Sequence, residues 1–271
     1  MNILKTKSIT LPNGKTVPVK RSKAPLVILI LIICFYYSVQ ITGFDIQVLT
    51  EKKRILSFWK IIVDMIPPNW NYLDRLWQPL FDTIKMSLLG SVLGAVLALP
   101  LAYFASSNMI KSRTVVVVTK FILSLLRTLP TLVAALIATF IFGIGTMAGT
   151  VAIFIFTIAY VGKLLYEQIE NADLKAFEAM QSMGHSTFSA FRFAVMPQIL
   201  PNYLSNAIFC FEGNVRYAAI LGYVGAGGIG LLLNESLGWR NYANVGMILL
   251  LLAVTVFIIE TISEYFRKKL L

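Results

Sequence analysis

The sequence predicts an all-α polytopic membrane protein with about six transmembrane helices. Three observations carry that expectation. The 271 residues are 57% hydrophobic and 14% charged, with a mean hydropathy of +0.75, whereas soluble domains run nearer half apolar and a quarter charged. Apolar stretches of roughly 20 residues, the length that crosses about 30 Å of hydrocarbon, recur along the chain. Basic residues gather in the short segments between them. The net charge of +11, from 24 basic and 13 acidic residues, is therefore a topology signal and not a nucleic-acid footprint.

Residues 1–23 form a polar arm carrying Lys5, Lys7, Lys15, Lys20, Arg21 and Lys23. The first span is 24–41. It lacks a small-x-small cleavage site and follows a long arm, so it reads as an uncleaved signal-anchor. An outer segment, 42–79, comes next. Within it, residues 51–68 alternate Arg54 and Lys60 with Ile55, Leu56, Phe58, Trp59 and Ile62. That pattern is either an amphipathic surface helix stopped at Pro67-Pro68 or a loosely ordered loop.

Residues 80–271 hold the remaining spans. In 80–105, Gly90, Gly94 and Ala98 recur every four residues, the spacing that lets membrane helices approach closely, and Pro100 is a possible kink. A basic loop at 108–113 leads to 114–142, which is interrupted at Arg127-Thr128-Leu129-Pro130. Freed backbone groups at such a break need cover from protein or a water cavity. Gly143-Ile144-Gly145 turns the chain into a span at 146–166, and a polar segment covers 167–196. A further span begins at 197–201 and runs to 219. Residues 223–239 are glycine-rich and ambiguous, and 242–262 form the last span. With both termini inside, the cytoplasmic segments carry about twice as many basic residues as the outer ones.

The chain offers little for catalysis. His185 is the only histidine, and Cys34 and Cys210 lie far apart in apolar stretches, which excludes His-pair zinc motifs and a disulfide framework. No His/Asp/Glu cluster or glycine-flanked serine sits in the spans, which argues against an intramembrane enzyme. An ion-coupled secondary transporter lacks the expected internal repeat. Gly225-Ala226-Gly227-Gly228-Ile229-Gly230 satisfies G-x-G-x-x-G formally. It is not a dinucleotide site, because no strand precedes it and no acid follows at the ribose distance. These glycines (Gly225, Gly227, Gly228, Gly230) make either a close helix contact or a flexible gate.

The most informative stretch is the polar segment at about 170–197. Residues 174–183 make a short helix with Phe177 and Met180 on its apolar side. Gly184 suits a helix C-terminus that needs a left-handed residue, and Ser186 or Thr187 can cap the next helix. Two short helices meeting at a bend are either a surface shaped for another protein's groove or a packed hairpin. Among ionisable residues inside spans, Glu212 and Arg216 lie four apart and share a helix face. They are either a self-paired ion pair or part of a substrate path. Arg127 has no acid within four residues. It either snorkels to the interface or faces a water-filled path, where a guanidinium grips an oxyanion bidentately. Asn214 offers a further donor to the same oxygens.

The sequence Glu178-Ala179-Met180-Gln181-Ser182-Met183-Gly184, nine residues, then Ala194-Val195-Met196-Pro197 resembles the coupling-loop motif of ABC importer permeases, Glu-Ala-Ala-x3-Gly-x9-Ile-x-Leu-Pro. Glu178, Ala179, Gly184 and Pro197 match; Met180, Ala194 and Met196 depart while staying apolar. Three further runs, together with Gly162-Lys163-Leu164-Leu165-Tyr166-Glu167, are similar to phosphonate-type permeases. They are Met196-Pro197-Gln198-Ile199-Leu200-Pro201, Phe211-Glu212-Gly213-Asn214-Val215-Arg216 and Val224 through Gly230. The glycine run is shared with methionine and other importer permeases, which keeps a methionine-like or other small-solute importer open.

The resemblance implies a type I importer permease with no chemistry on this chain. It implies a cytosolic ATPase dimer as partner, with ATP and Mg bound there and no cofactor here. Glu178, Ala179 and Gly184 would enter the ATPase cleft. An extracytoplasmic binding protein and a second permease copy, forming a homodimer in a bacterial inner membrane, complete the expectation. The cargo implied is phosphonate or a related phosphorus oxyanion.

Overall fold

The computed structural model describes residues 8–10, 16–18, 24–43 and 51–270, and the chain divides into two units, Met1–Lys60 and Ile61–Leu271. In the first, Ser8–Thr10 (β1) and Thr16–Pro18 (β2) pair antiparallel, Ser8 opposite Pro18, a detail the composition of the arm does not announce. The rest of the arm and residues 44–50 lie outside the described residues. Helix α1, Ala24–Ile41, has a mean hydropathy of 2.3. Helix α2, Lys52–Asp64, forms where the alternating basic and apolar pattern pointed. The loop reading of that segment is thereby set aside.

The second unit is built of helices and the turns between them, with no strand among its described residues. Helix α3 covers Leu73–Ala105 and runs unbroken through Pro79 and Pro100, so Pro100 does not end it. One stripe of it is buried, with Met86, Gly90, Gly94, Ala98 and Ala102 recurring every four residues. That stripe lies on α6, Thr146–Glu170. A Cβ at Gly90 would stand 2.7 Å from Ile153 Cγ2, and one at Gly94 2.6 Å from Thr157 Cβ. Only glycine permits this approach. Hydrocarbon tails are as apolar as leucine, so close van der Waals packing, not water exclusion, holds such helices together. The opposite side of α3 exposes Leu88, Leu89, Val92, Leu93 and Val96, an apolar face.

Helices α4, Arg113–Thr128, and α5, Thr131–Phe142, meet at 90°. The expected break is thus a right-angled turn. Leu129 is extended (φ −75°, ψ 118°), the conformation that a following proline imposes. Helix α7, Lys175–Ser182, precedes α8, Thr187–Ala190. A wider turn, Phe191–Val195, then feeds α9, Met196–Leu221. Helix α10, Ile229–Gly238, resolves the ambiguous glycine-rich segment, and α11, Tyr242–Leu270, extends past the expected end of the last span. Four helices or helix runs are long and apolar enough to cross a membrane unbroken. Two bent pairs, one of them α4 with α5, bring the total to six if each is one span.

Helices α3, α6 and α9 form the centre. At one end Ala98, Leu165, Phe177, Phe191, Val195 and Tyr203 make a core shared with α7 and the wide turn. At the other, Leu76, Leu80, Ile229 and Ile248 join α3, α10 and α11. Asn69 reinforces that end, donating from Nδ2 to Asn244 Oδ1 at 2.8 Å and from its backbone N–H to the Ala243 carbonyl at 3.1 Å.

Candidate coupling corner and transport path

The bend between α7 and α8 is built by local backbone chemistry. Gly184 takes φ +89°, and the His185 N–H reaches the Met180 carbonyl at 3.1 Å, closing α7 with a left-handed cap. Ser186 Oγ accepts from the Ser189 N–H at 3.3 Å and starts α8. Phe177, 4% exposed, anchors α7 in the core. Glu178, Ala179 and Gly184 are left exposed on the outer side of the corner, and Pro197 is exposed in the first turn of α9.

Two fastenings hold the corner to the bundle. Gln198 Oε1 accepts from the Asp173 N–H at 3.3 Å, while its Nε2 donates to the carbonyls of Asp173 (3.1 Å) and Ala194 (2.7 Å). Glu170, the last residue of α6, accepts from the Ser107 N–H at 2.8 Å, from Ser107 Oγ at 2.7 Å and from Lys120 Nζ at 2.8 Å. Sequence reasoning missed both. Apart from Ala194, their partners are 25 to 63 residues away, and a glutamine or glutamate at a helix end carries no local mark of such a role.

Arg127 sits in the last turn of α4 and edges a polar cleft between α4 and α6, of about 190 Å³, with Lys120, Ser124, Lys163, Tyr166 and Glu167. Lys163 pairs with Glu167 at 3.3 Å. Lys120 pairs with Glu170 and lies 4.9 Å from the centre of the Tyr166 ring. Among the described residues no carboxylate lies within ion-pair distance of Arg127.

Glu212 and Arg216 do share a face of α9 and are bonded to each other, but they belong to a larger set. Arg267 Nη2 lies 3.4 Å from the other Glu212 oxygen, and Arg216 Nη2 lies 3.4 Å from Glu260 Oε2. The Arg267 guanidinium also stands 5.4 Å from the centre of the Phe209 ring. Two acids and two bases thus join α9 to α11. The i,i+4 pair was visible in sequence; Glu260 and Arg267 were not.

Asn214, expected as a donor to the same oxygens as Arg127, is placed by the structure inside the helix packing. Asn214 is 1% exposed. Its Nδ2 donates to Ser91 Oγ at 2.8 Å and to Thr157 Oγ1 at 2.9 Å. With both amide hydrogens committed to α3 and α6, this side chain fastens the three helices.

The glycine run packs tightly. Gly225, Gly227 and Gly228 all have positive φ, and the Gly225 carbonyl accepts from the Gly145 N–H at 3.0 Å. A Cβ at Gly227 would stand 2.6 Å from the Thr146 nitrogen. Gly230 rests on the backbone of Ala219 and Gly222. Thr83 Oγ1, from α3, accepts the Ile229 N–H at the start of α10, at 2.8 Å. The run therefore joins the starts of α6 and α10 to α3.

Comparison with known proteins agrees with this geometry. Residues 90–270 match the family described as "Binding-protein-dependent transport system inner membrane component". The phosphite transport system permease protein PtxC of Stutzerimonas stutzeri is 32% identical over 205 residues, 76% of this chain and 74% of that protein. The phosphate-import permease protein PhnE of Mycolicibacterium smegmatis is 31% identical over 78% of this chain, which covers 40% of that longer protein. Among solved structures, a chain of the inward-facing methionine ABC transporter MetNI superposes with a TM-score of 0.64 at 21% identity, covering 76% of this chain and all of that one. The chain therefore belongs to the binding-protein-dependent transport system inner membrane component family: it is a membrane-embedded permease subunit of an ABC transporter that works with an ATPase and a substrate-binding protein.

Proposed function

We propose that this permease imports phosphonate or a related phosphorus oxyanion, driven by a cytosolic ATPase dimer that carries ATP and Mg. The observation that carries the cargo is the pair of relatives named for phosphite and phosphate, each about a third identical over three quarters of the chain. Arg127, with no ion pair among the described residues, edges a polar cleft and supports it. The likeness to the methionine transporter, at 21% identity, speaks for the fold and not for the cargo.

In this reading two copies of the chain line the path in a bacterial inner membrane, with both termini cytoplasmic. Glu178, Ala179 and Gly184 enter the ATPase cleft. Closure of the ATPase dimer moves the corner, and Gln198 and Glu170 pass that movement to α9 and α4. The glycines at 225, 227, 228 and 230 act as close contacts that keep the far end rigid. Binding along the path is weak, because a tightly held anion does not leave.

Uptake by the reconstituted complex, compared across methylphosphonate, phosphite, phosphate and methionine, tests the cargo. Preference for methionine sinks it. Gly184→Trp tests the coupling. Its Cβ meets nothing within 4 Å, so the bulk projects outward, and Gly184→Asn controls for the left-handed backbone, which asparagine tolerates. Uptake is expected to be lost with Trp and largely kept with Asn; wild-type uptake by the Trp variant overturns the coupling role.

A further inference from the structure

The cleft between α4 and α6 has an uneven ionic balance. Lys120, Arg127 and Lys163 bring three positive charges, while Glu167 and Glu170 bring two negative ones. Both carboxylates are engaged, one on each lysine. The surplus charge is therefore localised on Arg127, whose planar fork suits two oxygens of one anion. The Ser124 hydroxyl lines the same cleft and adds a neutral donor. Of the lining residues only Leu123 lacks a polar group, which suits a hydrated anion and not an acyl chain. Lys163 lies seven residues before the end of α6, about 10 Å along the axis, on the side that leads into the corner. The cleft is also mechanically tied to that corner, because Lys120 holds the same Glu170 that fixes Ser107.

We infer that this cleft is an anion station for a tetrahedral phosphorus oxyanion, gripped by Arg127 and Ser124 and steered by Lys163. Glu167 is the resident counter-ion of Lys163. An arriving anion competes with it for the ammonium, so occupancy loosens the Lys163–Glu167 pair and departure restores it. A pair that re-forms keeps residence short, as a transport path requires. This inference rests on the importer reading for its cargo, but the site is defined by its own residues. A phosphorus oxyanion can reach it as a free solute or as a phospholipid headgroup; the polarity of the walls favours the solute.

The test uses the reconstituted complex with Ser124→Cys in a Cys34→Ser background, Cys210 being buried. The introduced thiol is reacted with an anionic and a cationic methanethiosulfonate in phosphatidylcholine nanodiscs. The anionic reagent is expected to react about tenfold faster, the scale on which a focused field concentrates counter-ions. Arg127→Gln should abolish that preference. Millimolar methylphosphonate should slow the reaction several-fold with Arg127 and leave it unchanged with Arg127→Gln. Equal rates for the two reagents overturn the station. Protection by phosphatidylglycerol nanodiscs, with none from methylphosphonate, also overturns it and assigns the cleft to lipid. Methylphosphonate uptake by the unsubstituted complex is measured alongside. No uptake removes the importer reading, whereas uptake without protection removes the station alone.

Discussion

Two ionic clusters lie among the helices of the second unit, and they are built on opposite plans. Between α9 and α11, Glu212, Arg216, Glu260 and Arg267 form a closed set in which every charge has an opposite partner within 3.4 Å. Between α4 and α6, pairing among the described residues is incomplete and Arg127 is left over. An ionisable group in a span is costly in either place. In the closed set, mutual neutralisation offsets that cost and the charges serve as a fastener. In the open cleft the leftover charge is available to a mobile anion. Charge inside a membrane protein is therefore not by itself a mark of cargo; the completeness of its pairing decides.

Breaking the fastener should produce the largest change in stability. Glu212→Gln strips Arg267 of its carboxylate partner at a buried position and leaves Arg216 with Glu260 alone. Removing one partner of a fully buried pair costs about 3–5 kcal/mol; with Arg216 half exposed, the expectation here is about 2–3 kcal/mol. Thermal unfolding in detergent, followed through the reactivity of the buried Cys210 thiol, measures it. A melting temperature equal to that of the wild type would mean the quartet does not hold α9 to α11. Asn214→Leu is the neutral counterpart. It loses bonds to Ser91 and Thr157, and interhelical hydrogen bonds in membranes average only about 0.6 kcal/mol, with a maximum near 1.7. The same unfolding assay should therefore show a loss of about 1 kcal/mol with uptake per folded complex kept. Loss of uptake at full stability would return Asn214 to the path.

The spans were legible because hydropathy over 20 residues is a strong, local signal. The corner was legible for the same reason of locality: Gly184 and Ser186 act on backbone groups within six residues. The quartet was only half legible. Glu212 and Arg216 announce themselves at i,i+4, but Glu260 and Arg267 come from a helix 44 to 55 residues further on. The packing role of Asn214 was not legible, because its partners on α3 and α6 are 57 to 123 residues away. Arg127 was singled out for lacking an acidic neighbour; Lys120 lies seven residues earlier on the same helix, and Lys163 joins them only where α4 lies against α6. The right angle at Pro130 was foreseen as a break and not as a turn of that size, because proline dictates where a helix ends and packing dictates where the next one goes.

The contrast between the two clusters is decided most directly by Arg127→Gln. An exposed, unpaired cation removed from a helix end should change stability by no more than about 0.5 kcal/mol. Methylphosphonate uptake per folded complex should nevertheless fall about tenfold, the factor that loss of a charge-assisted contact of ~1.4 kcal/mol brings. Unchanged melting with that fall confirms that the open cleft serves the anion. Wild-type uptake per complex with Arg127→Gln contradicts it.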